Sequence, residues 1–133
     1  MKKVNWVAIA AKGIEEKRDS KFVWGENDCC LAVADIVKDF SNVDIAEKFR
    51  GRYTTAIGSV RVLNRCGGGS IASAVSQTLK EVELALVSRG DVVLIETYVG
   101  DSLGLYFGSR VWAMTEEGLR DFDKKLIKKA WRV

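Results

Sequence analysis

Apolar residues follow two different periods along the chain, and the change falls near residue 80. Before it, they recur at helical spacing. Val4, Val7, Ala8, Ala11 and Ile14 predict an amphipathic helix over residues 4–18, ended by Asp19-Ser20. Cys29, Val33, Ile36, Val37 and Phe40 mark one face of a second helix, with Asp28 placed as its N-cap. Asp44 to Phe49 reads as a short helical turn and Arg50 to Thr55 as an extended loop. Val60, Leu63 and Asn64 suggest a third helix, stopped by Cys66-Gly67-Gly68-Gly69, and Ser70 caps a fourth through Leu79.

After residue 80 the period shortens to two. Val82, Leu84 and Leu86 alternate with less apolar positions, which predicts a strand. Gly90-Asp91 punctuates, and Val92 to Ile95 follows as a buried strand. A turn over Tyr98 to Asp101 leads into Ser102 to Gly108. Arg110 to Met114 and Lys125 to Val133 are the remaining strand candidates. Helices come first and an antiparallel meander second, so the expected class is α+β, with the N-terminal helices packed on a small sheet.

Composition narrows the picture. A chain of 133 residues fits one domain, 1–133, with room for a core. No apolar run is long enough to span a bilayer. The two N-terminal lysines and the short apolar stretch after them mimic a signal peptide, but Lys12, Glu15 and Glu16 interrupt it, so the reading is a mature cytosolic chain. Three cysteines cannot all pair, and Cys29 and Cys30 are adjacent and poorly placed to bond to each other. That favours a reduced compartment over a disulfide framework. With no histidine and no CxxC spacing, neither a metal site nor a cofactor is expected. The net charge of +3 is concentrated at the C-terminus, where Arg120, Lys124, Lys125, Lys128, Lys129 and Arg132 oppose only Asp121 and Asp123. This suits an acidic partner, or an edge strand guarded by lysines. It lacks the interleaved aromatics of a nucleic-acid face, so no nucleic acid is expected.

Candidate chemistry centres on Trp24-Gly25-Glu26-Asn27-Asp28-Cys29-Cys30. A thiol in the first turn of a helix faces unpaired amides and the positive end of the macrodipole, which favour the thiolate. Cys29 is also in phase with Val33, Ile36 and Phe40, which suits a small core residue equally well. The absence of histidine removes the usual proton carrier of a cysteine hydrolase. Trp24 is placed to line a groove beside Cys29. Arg50-Gly51-Arg52-Tyr53 offers two guanidiniums to an anionic partner, or serves as a structural loop. Trp131 is either an interface anchor or a core residue. Gly67-Gly68-Gly69 is followed by no lysine-serine or lysine-threonine pair, so it is no P-loop.

The order of these segments resembles the NlpC-type cell-wall peptidases, a papain-like cysteine peptidase superfamily. Asp28-Cys29 matches the start of its nucleophile helix, Gly90-Asp91-Val92-Val93 its first strand, and Leu103-Gly104-Leu105-Tyr106 its second. The resemblance implies a papain-like fold with Cys29 at the nucleophile position. Ser102 stands where the family carries its histidine, and Cys30 and Leu31 replace the serine and glycine after the nucleophile. A closer resemblance, over nearly the whole chain, is to short phage and prophage proteins encoded in tail-gene clusters. It rests on Phe22-Val23-Trp24-Gly25, Asn27-Asp28-Cys29, Ala34-Asp35, Phe49-Arg50-Gly51-Arg52-Tyr53, Gly67-Gly68, Arg89-Gly90-Asp91, Gly118-Leu119 and Ala130-Trp131-Arg132-Val133. It implies a tail structural or assembly protein with a degenerate peptidase fold. Such a protein would be cytoplasmic in the bacterial host during assembly and then part of the virion tail. It would dock onto distal-tail, hub or baseplate proteins through Arg50 to Tyr53 and the basic C-terminal strand. The alternative is an active peptidase or amidase acting on peptidoglycan, with Cys29 as nucleophile.

Overall fold

The computed structural model describes residues 2–97 and 100–133. Four helices come first: α1 Trp6–Lys17, α2 Leu31–Ser41, α3 Ala56–Cys66 and α4 Ile71–Ser76. Six strands follow: β1 Lys80–Val82, β2 Val92–Thr97, β3 Gly100–Phe107, β4 Arg110–Thr115, β5 Gly118–Phe122 and β6 Ile127–Arg132. They form one antiparallel sheet in the order β1-β6-β2-β3-β4-β5. The α+β class is as expected. The turn at Tyr98-Val99 lies outside the described residues. Among those described, no helix is long and apolar enough to cross a membrane.

The sheet separates two cores because alternate strand residues point to opposite faces. Val92 and Leu94 of β2, Leu103 and Leu105 of β3, Met114, Leu119 and Trp131 share the principal core with α1, α2 and α4. Val93, Ile95, Val111, Ala113 and Ala130 form a smaller cluster on the other face. In β3 the intervening position is Gly104, where a Cβ would collide with Val111 and crowd Val93. Only glycine lets the chain pass there.

Several expectations need correction. α1 begins at Trp6, and its buried face is Ala10, Gly13 and Ile14, with Gly13 against Ile36. Ala8 and Ala11 are exposed, so the true stripe is rotated from the expected one. α4 ends at Ser76 rather than Leu79. Leu84–Leu86 is a 3-10 turn with both leucines exposed, not a strand. β5 went unforeseen because Gly118-Leu119-Arg120-Asp121-Phe122 has too few apolar residues to show alternation.

The largest correction concerns β6, which lies between β1 and β2 rather than at an edge. The register with β2 shifts between Leu94 and Ile95, a β-bulge on the β6 side. Lys128 reaches Glu96 and Asp101 at 3.1 and 3.0 Å, and Lys129 reaches Glu81. The lysines therefore cross-link strands on the sheet surface. Trp131 is fully buried, and its indole N–H donates to Ser76 Oγ at 2.9 Å. It closes the core and cannot anchor an interface.

Candidate functional site

The chain enters the site through a tight loop. Val23 and Asn27 pair across it as an isolated bridge, with Gly25 at its tip in the left-handed region. A Cβ on Gly25 would run into the carbonyl of Tyr53, so the loop from residue 22 and the loop before α3 touch backbone to backbone here.

Asp28 ties this junction together. It is 1% exposed, yet both carboxylate oxygens are fully engaged. Oδ1 accepts the amides of Cys30 and Leu31 at 3.0 and 2.9 Å, and Oδ2 accepts the Gly25 amide at 3.0 Å and the Tyr53 hydroxyl at 2.5 Å. Because the carboxylate takes the Cys30 and Leu31 amides, α2 starts at Leu31. Cys29 therefore sits in the turn before the helix, not in its first turn as the sequence suggested. Burial and the bond to Asp28 push the Tyr53 hydroxyl well above its ordinary range, so it stays a donor.

Cys29 and Cys30 are both half-buried, free thiols, with sulfurs 4.0 Å apart. The Cys30 thiol lowers the Cys29 pKa from the usual 9.0, against the opposing effects of burial and the Asp28 charge. Cys30 moves well upward, through its bond to Cys29 and then through burial. Of the two thiols, Cys29 is the more acidic partner.

Strand β3 meets this turn at Ser102-Leu103. The Leu103 amide donates to the Cys29 carbonyl at 3.3 Å, and the buried Ser102 hydroxyl donates to the same oxygen at 3.4 Å. Ser102 thus stands beside Cys29, as the segment order predicted. Its hydroxyl hydrogen-bonds to the backbone carbonyls of Cys29 and Leu103.

A groove of about 1000 Å³ opens past Cys29. Trp24 lines it beside Phe22, the two rings edge to face at 5.0 Å. Val60 and Leu63 of α3, Ile71 of α4 and Met114 of β4 add apolar walls. Val60 is 55% exposed, an apolar side chain open to solvent at the groove.

The Arg50 loop lies nearby but is committed elsewhere. Arg50 bonds Asp44 bidentately, at 2.9 and 3.1 Å, and Asp35 at 2.7 Å. Asp35 continues to Lys17 at 3.0 Å, and Lys17 to Asn27 at 3.2 Å. Burial raises the Asp44 pKa, but the Arg50 hydrogen bond and the Ala46 amide outweigh it, leaving the carboxyl below its ordinary 3.8. Arg50 therefore clamps its own loop to α2, with Lys17 of α1 joining through Asp35, and is not a free binding group. Arg52 is exposed. The sequence did not single out Tyr53 as the partner of Asp28, or Cys30 as the partner of Cys29. The adjacent cysteines were the available signal. Among the described residues, no cluster of three or more histidines, cysteines or carboxylates could hold a metal ion.

The thiol pair, its carboxylate turn and the apolar groove coincide with the segments singled out in the sequence. The chain belongs to the family described as Domain of unknown function (DUF6950), whose family model matches residues 1–133. No curated protein matches the chain.

Proposed function

We propose that this chain is a docking module of a phage-type tail, built on a papain-like (NlpC-type) fold that no longer hydrolyses its ligand. It takes a segment of another tail protein, of the distal tail, hub or baseplate, into the groove beside Cys29. One observation carries the reading. At Ser102, the position that the resemblance gives to the peptidase base, the hydroxyl donates to the Cys29 backbone, and the Cys29 thiol is met by a second thiol. The groove and its aromatic wall remain, while the proton shuttle is absent from the sequence.

A second reading rests on the lowered pKa of Cys29, which suits a nucleophile. It makes the chain a peptidase or amidase acting on peptidoglycan. Loss of a general acid–base costs about 10²–10⁴-fold in rate, so the docking reading expects no measurable hydrolysis. Purified cell walls incubated with the wild-type chain should release no soluble peptide, and tail proteins should be captured by wild type but not by Val60→Glu. Release of peptide by wild type, abolished in a folded Cys29→Ala variant, would establish the second reading instead.

A further inference from the structure

We infer that Cys29 and Cys30 form a reversible oxidation site, in which a hydroperoxide oxidises Cys29 and Cys30 resolves it as a vicinal disulfide. The two sulfurs already face each other at 4.0 Å, and both residues line the groove, where a small peroxide can enter. Cys66 lies apart from them at the end of α3 and serves as an internal reference thiol.

The chemistry balances without any other group. The Cys29 thiolate attacks one peroxide oxygen. An S–O bond forms, the O–O bond breaks, and the leaving oxygen departs as hydroxide or alkoxide and takes up a proton. The Cys30 thiol then gives up its proton, and its sulfur attacks the Cys29 sulfenic acid. The S–S bond forms, the S–O bond breaks, and water leaves. Two thiols lose two electrons and the peroxide gains them. The more acidic Cys29 is the attacking partner, in agreement with its lowered pKa.

Reversibility follows from adjacency. Neighbouring Cα atoms are held about 3.8 Å apart by a trans peptide, while ordinary disulfides need about 4.4–6.8 Å. A Cys29–Cys30 bond is therefore strained and easily reduced, which makes it unsuited to a structural role and suited to a transient one. The peptide between the two cysteines is also held from both sides. Its carbonyl accepts Leu103 N–H and its amide donates to Asp28.

The test treats the full folded chain with hydrogen peroxide in the presence of dimedone, followed by mass spectrometry without reduction. Wild type should lose two hydrogens within the segment holding Cys29 and Cys30, carry no dimedone there, and recover its thiols with glutathione. Cys30→Ser and Cys30→Ala should both accumulate dimedone on Cys29. A dimedone adduct on wild-type Cys29 as abundant as in the Cys30 variants would overturn the inference. So would oxidation of Cys66 as fast as Cys29, or conversion of wild type to covalent dimers in place of the internal bond.

Discussion

Replacing Asp28 with alanine should destabilise the chain by more than the loss of a helix cap. A lost cap costs about 0.5–2 kcal/mol. Asp28 does more than cap, because four donors converge on its two oxygens: the amides of Gly25, Cys30 and Leu31 and the Tyr53 hydroxyl. Alanine leaves these donors without their acceptor in a turn that is partly buried, with the Leu31 amide buried outright. Each orphaned buried group costs about 1–3 kcal/mol. Only the Leu31 amide is buried outright and water recovers part of the loss at the other three donors, which sets the scale at about 2–4 kcal/mol. Domains of this kind are stable by about 5–15 kcal/mol, so the variant should still fold but unfold at a much lower urea concentration. Tyr53→Phe removes one donor to a charged acceptor and should cost about 1.5–3 kcal/mol. Asp28→Asn should fall between, because one side keeps an acceptor while an NH2 group opposes the Gly25 amide or the Tyr53 hydroxyl. Urea unfolding of the three variants, with unchanged slopes, measures the series. A loss below about 2 kcal/mol for Asp28→Ala, or an equal loss for Tyr53→Phe, would refute the convergence on one carboxylate.

Trp131→Ala should lower stability by about 3–5 kcal/mol in thermal or urea melts, because the ring is fully buried; a variant as stable as wild type would return Trp131 to the surface. Arg50→Ala should flatten the acid limb of the stability curve. The Asp44 carboxyl is held below its unfolded 3.8, so the pair contributes stability above that pH and loses it as pH falls through the lowered value; Arg52→Ala should leave the limb as it is. Alkylation of Cys29 by iodoacetamide should reach half-rate below pH 9.0, and the midpoint should rise in Cys30→Ala, since Cys30 supplies the lowering while Asp28 opposes it. An unchanged midpoint would remove the thiol pair from the explanation.

Much of the helical half was legible because apolar spacing and caps agree there. Ser70 caps α4 as its sequence position predicts, accepting the amide three residues on; Thr55, which reads as part of a loop, caps α3 in the same way. The sheet was less legible wherever charge and burial share a strand. Lys128 and Lys129 made β6 look like an edge, although Ala130 and Trp131 beside them are completely buried. β5 carries its place in the fold on Leu119 and Phe122 alone, and no periodic signal survives in so few residues. At the site, the sequence placed Cys29, Asp28 and Ser102 together through segment order. It could not assign Arg50, because an arginine seeking a partner and one already held by Asp35 and Asp44 have the same local pattern. Nor could it tell that Asp28 would hold two loops as well as a helix, since Gly25 and Tyr53 reach it from different sides of the chain.

Tail assembly supported by variant chains is the direct test of docking without hydrolysis. Under the docking function proposed above, supplying Cys29→Ser to a phage that lacks its own copy of the chain should restore complete tails to the wild-type level, because docking does not use the thiol. Val60→Glu, which alters an exposed groove residue and leaves the core intact, should fail to restore them. Loss of tails with a folded Cys29→Ser chain, together with normal tails from Val60→Glu, would contradict the docking function and place the work of this protein on the cysteine itself.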